Sequence, residues 1–308
     1  MKVSIVIPCF NEEANVVPLS QEIVKQMDSI GKYDYEIIFI DNDSHDRTRP
    51  LLREICAENH KIKAIFNAKN FGQFSSPYYG MLQATGDCAI LMCCDFQDPV
   101  EMIPKYLEEW EAGYKIILGQ KIQSKESAFI YRCRKFYYNF MKKHSDVEFL
   151  KQVTGSGLYD RSFLEVMRQV DDIEPFLRGI VAELGFGIKL IPFVQPKRNG
   201  GKSSNHFYDY VNIAAQSLTS YTRFGCRLAL FCGTLASLIS LALIIISIVY
   251  NLINTGTLPF GNELLSLIIL LAVSMNMFFI GVVGEYVMDA NRHTRKRPLV
   301  VEQERINF

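Results

Sequence analysis

The chain has 308 residues, and its 33 basic and 33 acidic side chains leave a formal net charge of zero. That balance argues against a nucleic-acid binder held by phosphate contacts, while the length allows one large core plus appendages. The eight cysteines show no C-x-x-C pair and no metal-finger spacing, which suits free thiols in a reducing cytoplasm, many of them buried.

Met1-Lys2-Val3 opens directly into a strand without an apolar leader or cleavage site, so no secretory signal is expected. Val3 to Ile7 reads as a short apolar strand ending at Pro8. Val16, Leu19, Ile23, Met27 and Ile30 then recur at helical spacing, with Asn15 as cap and Pro18 in the first turn. Glu36 to Ile40 is the next strand, followed by Asp41-Asn42-Asp43, a helix over Leu51 to Ala57 and a strand over Lys63 to Phe66. Ser75 to Ala84 reads as a helix, Ala89 to Met92 as a strand, Ile103 to Glu111 as a helix and Ile116 to Leu118 as a strand.

Alternating strands and helices imply an α/β domain with a mostly parallel sheet, whose ligands bind beyond the carboxyl ends of the strands. Those ends carry Pro8 to Glu13, Asp41 to Asp43, and Asp95-Phe96-Gln97-Asp98, where Pro99 stops further pairing. Oxygen ligands clustered at a strand end suit a hard divalent cation and a diphosphate. No G-x-G-x-x-G follows any strand and no G-x-x-x-x-G-K-[ST] occurs, which disfavours a dinucleotide oxidoreductase or a P-loop ATPase.

Phe207, Val211, Ala214, Leu218 and Tyr221 repeat at helical spacing and read as a helix lying in a membrane interface, with a plain core helix as the alternative. Leu228 to Tyr250 and Leu264 to Gly284 are uncharged runs of 23 and 21 residues, long enough to span a bilayer as helices. Asn276 in the second is read as an interhelical hydrogen bond. The loop between the runs lacks Lys and Arg. Arg223 and Arg227 precede them, and Arg292, Arg295, Lys296 and Arg297 follow, so both termini are expected in the cytoplasm.

At these residues the chain resembles the glycosyltransferase family 2 enzymes of GT-A fold, and among them the dolichyl- and undecaprenyl-phosphate sugar transferases. The resemblance runs through SIVIPCFNEE at 4–13, IDNDSHDRT at 40–48, KNFGQ at 69–73, DFQDP at 95–99 and LYDR at 158–161. It continues over the stretch from Arg198 to Ser204 and FIGVVGEY before RKRP at 295–298. It implies a Rossmann-like cytosolic GT-A domain over 1–205 and an interface helix over 206–227. A two-helix transmembrane hairpin over 228–286 and a cytosolic basic tail over 287–308 complete the expected organisation.

The same resemblance assigns nucleotide-sugar binding to Pro8, Phe10, Asn11, Glu12, Asp41, Asn42 and Asp95. Asn42 and Asp43 depart from a usual Asp and Gly there. The family's D-x-D motif falls on Cys93-Cys94-Asp95, so Asp95 and Gln97 are expected to hold Mg²⁺ or Mn²⁺, while Cys93 replaces the first Asp. A thiol is a poor ligand for Mg²⁺, and strand packing is the plainer role for Cys93 and Cys94. Ser156 stands where many relatives carry an Asp considered catalytic or acceptor-side.

A lipid phosphate acceptor would make the loss at Ser156 tolerable, because a phosphate monoester is largely dianionic at neutral pH and needs no strong base. It needs cations instead. Arg198, Lys202 and Ser203 in a flexible loop, with Arg132 (or Arg134) and Arg178, are the candidates, and Lys69 is placed toward the donor phosphates. Asp95, Gln97 and Arg198 are the expected catalytic residues. Asp160-Arg161 reads equally as a structural ion pair or a site element, and Trp110 as a core anchor.

The expected activity is inverting transfer of a sugar, from a UDP donor, to undecaprenyl phosphate or a similar polyprenyl phosphate. It would take place at the cytoplasmic face of the inner (plasma) membrane, in a homo-oligomer, since relatives form tetramers. A processive polysaccharide synthase is the alternative enzyme, disfavoured because no Q-x-x-R-W element occurs. A catalytically silent nucleotide-sugar sensor or scaffold is the alternative outside enzymes, raised by Cys93 and Ser156.

Overall fold

The computed structural model describes residues 1–122, 153–170, 172, 175–196 and 298–308, with isolated positions and short runs between 235 and 290. The chain divides into two units. Met1–Lys142, Val147–Ser204 and Arg295–Phe308 form the first, and Lys143–Asp146 with Asn205–Thr294 the second.

In the first unit an eight-stranded sheet has the order β7-β5-β6-β4-β1-β2-β3-β8. Its strands are β1 (Lys2–Cys9), β2 (Asp34–Asp41), β3 (Ile62–Asn67), β4 (Cys88–Leu91), β5 (Ile116–Lys121), β6 (Val153–Asp160), β7 (Ile188–Phe193) and β8 (Glu302–Ile306). β4, β1, β2 and β3 run parallel, as do β5 and β7, while β6 and β8 run against their neighbours. The expected mostly parallel α/β domain is what forms. The middles of β1 and β2 are apolar runs because both faces are covered: Ile5, Val6 and Ile7 are buried, as are Ile37 to Ile40.

Helices α1 (Val16–Ile30), α2 (Thr48–Glu58), α3 (Gly72–Gln83), α4 (Met102–Glu111), α5 (Arg161–Gln169) and α6 (Leu177–Glu183) flank the sheet. α1 buries Val16, Leu19, Ile23 and Met27 and ends where Gly31, at φ 60°, returns its N–H to the Met27 carbonyl. Asn15 precedes α1 as expected but does not cap it with its side chain, which donates to Glu12 Oε2 at 2.6 Å instead. α3 begins three residues before the expected Ser75 and carries Pro77 in its second turn. β4 stops at Leu91, so Met92 opens the following loop.

The largest departure from the sequence reading is at the carboxyl end. Residues 287–308 read as a basic tail, yet Glu302–Ile306 is a strand paired antiparallel to β3. Its alternation is half-buried against exposed rather than apolar against polar, as befits an edge strand, so hydropathy does not announce it. By pairing with β3 it becomes the last strand on that side of the sheet.

In the second unit the described positions are helical. Ile246, Val249 and Ile253 share one face by spacing and are exposed, and Ile269, Val273 and Ile280 are likewise exposed. Asn276 donates to the Ala272 carbonyl within its own helix rather than across to another. Among the described residues no helix is long and apolar enough to cross a membrane. The interface helix over 206–227 lies outside the described residues, as do most positions of the two spans.

Candidate active site

β1 has β2 on one side and β4 on the other, so the chain reverses its order across the sheet at β1. Such a switch point opens a crevice at the carboxyl edge of the strands. The loops after β1, β2 and β4 meet that edge. Each contains one non-glycine residue with a left-handed backbone: Asn11 at φ 55°, Asp43 at 69° and Phe96 at 61°. Such conformations are costly, most of all for a bulky residue like Phe96, and they gather where a chain must be bent for function. Composition and periodicity carry no signal for this.

The first two loops are stitched together. The Asn11 N–H donates to Ser44 Oγ, the Glu12 N–H to Thr48 Oγ1, and the His45 N–H to Asn11 Oδ1. At the end of β2, Asp41 is fully buried. Its Oδ2 accepts from Arg49 Nε at 2.5 Å and from the Ser44 N–H at 3.2 Å. Its Oδ1 is buried without a hydrogen-bond partner. An orphaned carboxylate oxygen at a ligand-binding edge is an acceptor awaiting a donor.

Asn42 has a different task. Its Oδ1 accepts from the Phe71 N–H and Asn67 Nδ2, and its Nδ2 donates to Asn70 Oδ1 and the Gly72 carbonyl. The amide therefore pins the Lys69-to-Gly72 loop, a job that needs both donor and acceptor and that an Asp could not do. Lys69 on that loop is exposed, its Nζ 5.1 Å from the Phe71 ring centroid. Pro8 and Phe10 are half-buried, and Glu12 is buried.

In the loop after β4, Asp95 is half-buried and its Oδ1 accepts from the Gln97 N–H at 3.1 Å. Asp98 turns inward. It is buried, and its Oδ2 accepts from the Cys93 N–H at 2.9 Å and from Ser156 Oγ at 2.6 Å. Antiparallel pairing of β6 with β4 brings Ser156 there, because Gly157 lies opposite Leu91. Arg178 of α6 packs beside Gly155, where an added Cβ would sit 3.7 Å from its Cγ. Among the described residues, Arg178 is thus the one expected acceptor cation beside Ser156 on β6. Arg132, Arg198, Lys202 and Ser203 lie outside the described residues.

Cys93 is exposed, whereas Cys9, Cys56, Cys88 and Cys94 are buried. Burial pushes the Cys9 thiol well up, with nearby Cys94 and Asp41 adding to the effect, and pushes Cys56 to about 12. Those thiols pack as small apolar groups. Asp160 lies at the other end of β6, opposite Cys88. It caps α5 through the Ser162 N–H and accepts from Trp110 Nε1 at 2.8 Å. Burial alone would raise its pKa, but bonds from Ser162, Trp110 and Lys115 outweigh that and lower it. Arg161 pairs with Glu165 at 2.8 Å and Asp160 with Lys115 at 3.1 Å, so the two neighbours serve separate ion pairs.

The donor set fits a weakly held hard cation. Asp95 and Gln97 offer carboxylate and amide oxygens, the kind Mg²⁺ and Mn²⁺ take, and a diphosphate would supply others. Asp98 is committed to Cys93 and Ser156. Among the described residues no group of three His, Cys, Asp or Glu is arranged to hold a metal without such help.

Residues 4–166 match the family described as Glycosyl transferase family 2. The chain is 27% identical over 305 residues to a prophage bactoprenol glucosyl transferase homolog of Escherichia coli K12, covering 97% of each. It is 27% identical over 303 residues to the bactoprenol glucosyl transferase of Shigella phage SfX, again covering 97% of each. A solved structure of glucosyl-3-phosphoglycerate synthase from Mycobacterium tuberculosis, with Mn²⁺, UDP and phosphoglyceric acid, aligns at 16% identity and a TM-score of 0.46. The alignment covers 71% of this chain and 76% of that one.

Proposed function

Because this chain belongs to glycosyl transferase family 2 and is a glycosyltransferase, we propose that it transfers a sugar from a UDP donor to a polyprenyl phosphate, with inversion. The observation that carries the acceptor is similarity over 97% of both chains to bactoprenol glucosyl transferases, which takes in the carboxyl-terminal region as well as the catalytic domain. The orphaned Asp41 Oδ1, the bent loops and Asp95 at one edge support the nucleotide-sugar half.

In this reading the nucleoside lies against Asp41 and the Pro8-to-Glu12 loop, and Lys69 faces the phosphates. Asp95 and Gln97 would hold Mg²⁺ or Mn²⁺, which when bound offsets charge on the leaving diphosphate. The acceptor phosphate is positioned by Arg178 with Arg132, Arg198, Lys202 and Ser203. One of its oxygens attacks the anomeric carbon opposite the departing UDP, and no side chain need take a proton. The absence of an acid at Ser156 accords with that chemistry.

The uncharged runs at 228–250 and 264–284 form a membrane hairpin in this reading, and their exposed apolar positions support it. The positive flanks support a catalytic domain on the cytoplasmic face of the plasma membrane in this reading, where the protein would act as a homo-oligomer.

Full-length protein in detergent, offered labelled UDP-glucose and other nucleotide sugars with undecaprenyl phosphate and Mn²⁺, tests the proposal. A labelled, acid-labile lipid is the expected product. Nucleotide binding with no lipid labelled by any donor would instead favour the sensor or scaffold reading. Polymer formation would favour the processive synthase.

A further inference from the structure

Arg49 ties together three parts of the catalytic domain: the end of β2, the end of β3 and strand β8. Its Nε donates to Asp41 Oδ2 at 2.5 Å and its Nη2 to the Asn67 carbonyl, at the end of β3, at 2.6 Å. Nη2 also lies 3.5 Å from Asp43 Oδ1, and Nη1 donates to Gln303 Oε1 of β8 at 3.1 Å. The guanidinium carbon lies 5.7 Å from the Phe66 ring centroid. Next along α2, Arg53 pairs with Glu304 of the same strand at 2.6 Å.

These contacts have one common effect. Asp41 is fully buried, and a buried carboxylate keeps its charge and orientation only with a cation and hydrogen bonds against it. Arg49 supplies both to Oδ2 and leaves Oδ1 unpartnered. The planar fork suits this, because each donor leaves in a fixed direction. Asp43, held at φ 69°, is drawn to the same guanidinium.

We infer that Arg49 is the positioning residue of the nucleoside-binding carboxylate Asp41, and that strand β8 completes its setting through Gln303. The inference rests on the transferase reading, in which Asp41 Oδ1 accepts an N–H of the donor's base. It adds that the nucleoside site depends on a segment that returns to the sheet only after residue 300. The carboxyl-terminal strand is then part of donor recognition.

Full-length protein in detergent can test this by titration with UDP and, separately, with inorganic diphosphate, each with Mn²⁺. Thermal melts followed by the fluorescence of Trp110, the single tryptophan, check folding. Arg49→Met should weaken UDP by about tenfold or more while leaving inorganic diphosphate unchanged, and Arg49→Lys should restore part of the loss. Gln303→Ala should weaken UDP by about threefold, again sparing inorganic diphosphate.

Unchanged UDP affinity in a folded Arg49→Met protein overturns the inference, and so does an equal loss for UDP and inorganic diphosphate. If Arg49→Met does not fold, Gln303→Ala decides alone, and unchanged UDP affinity there overturns it. Failure of the unsubstituted protein to bind any of UDP, CDP or GDP counts against the transferase reading itself.

Discussion

Cys93 Sγ lies 3.9 Å from Ser156 Oγ, and both residues hydrogen-bond to the same oxygen of Asp98. Two of the positions at which this chain departs from the acidic pattern of its resemblance are therefore neighbours, 63 residues apart in sequence. A carboxylate at either would face the buried Asp98, and like charges at hydrogen-bond distance are mutually destabilising. The hydroxyl at 156 donates instead.

Ser156→Ala leaves the buried Asp98 oxygen with one donor in place of two, and should cost about 1–2 kcal/mol of stability. Ser156→Asp should cost more, because it sets a second carboxylate against Asp98. Melts by Trp110 fluorescence rank the three proteins. Equal stability of Ser156→Asp and the unsubstituted protein would show that the site takes a second carboxylate without penalty.

Asp95→Asn retains shape and removes the charge proposed to face the cation. Turnover should fall by about 10²-fold or more, and the Mn²⁺ concentration for half-activity should rise. Retention of full activity at low Mn²⁺ removes Asp95 from the ligand set.

How far the sequence could be read differs across the sheet. β1 to β4 and their helices are apolar runs and amphipathic repeats, so their order, and with it the edge bearing Asp41 and Asp95, was visible in advance. β8 was not, because Glu302-Gln303-Glu304-Arg305-Ile306 has no apolar face and is stabilised by pairing with β3 and by Arg49 and Arg53. Asn42 illustrates another limit. Its position in the resemblance implies nucleotide-sugar binding, but its amide is taken up by four partners that only the folded loops bring near. Arg49 is hidden for the same reason, since one of its partners lies 254 residues away in sequence.

Gly157→Ala should be among the most damaging single changes in the catalytic domain. A Cβ there would collide with the Ile117 carbonyl and crowd Leu118 Cα of β5, both backbone atoms that cannot step aside. β6 would have to part from β5, shifting Ser156 away from Asp98. A loss of more than about 3 kcal/mol is expected, seen as a lower melting temperature or as failure to accumulate. A melting temperature within a degree or two of the parent would show that the strands can spread cheaply.

Glu36 sets the acid stability of the other edge of the sheet. Its buried carboxylate accepts from Ser4 Oγ at 2.6 Å and from Lys2 Nζ at 2.8 Å, and Lys63 Nζ lies 2.9 Å away. Burial alone would raise its pKa, but these bonds, with that from the Thr85 N–H, outweigh it and lower the value to about 2. The folded-state pKa is thus below the unfolded one of 4.5, so the stabilisation is present above pH 4.5 and lost as pH falls toward 2. The lowering corresponds to on the order of 3 kcal/mol. Glu36→Gln should destabilise the domain at neutral pH and flatten the decline in stability between pH 4.5 and 2, measured by denaturant unfolding followed through Trp110. A variant whose acid profile parallels the parent's would place that sensitivity in other carboxylates.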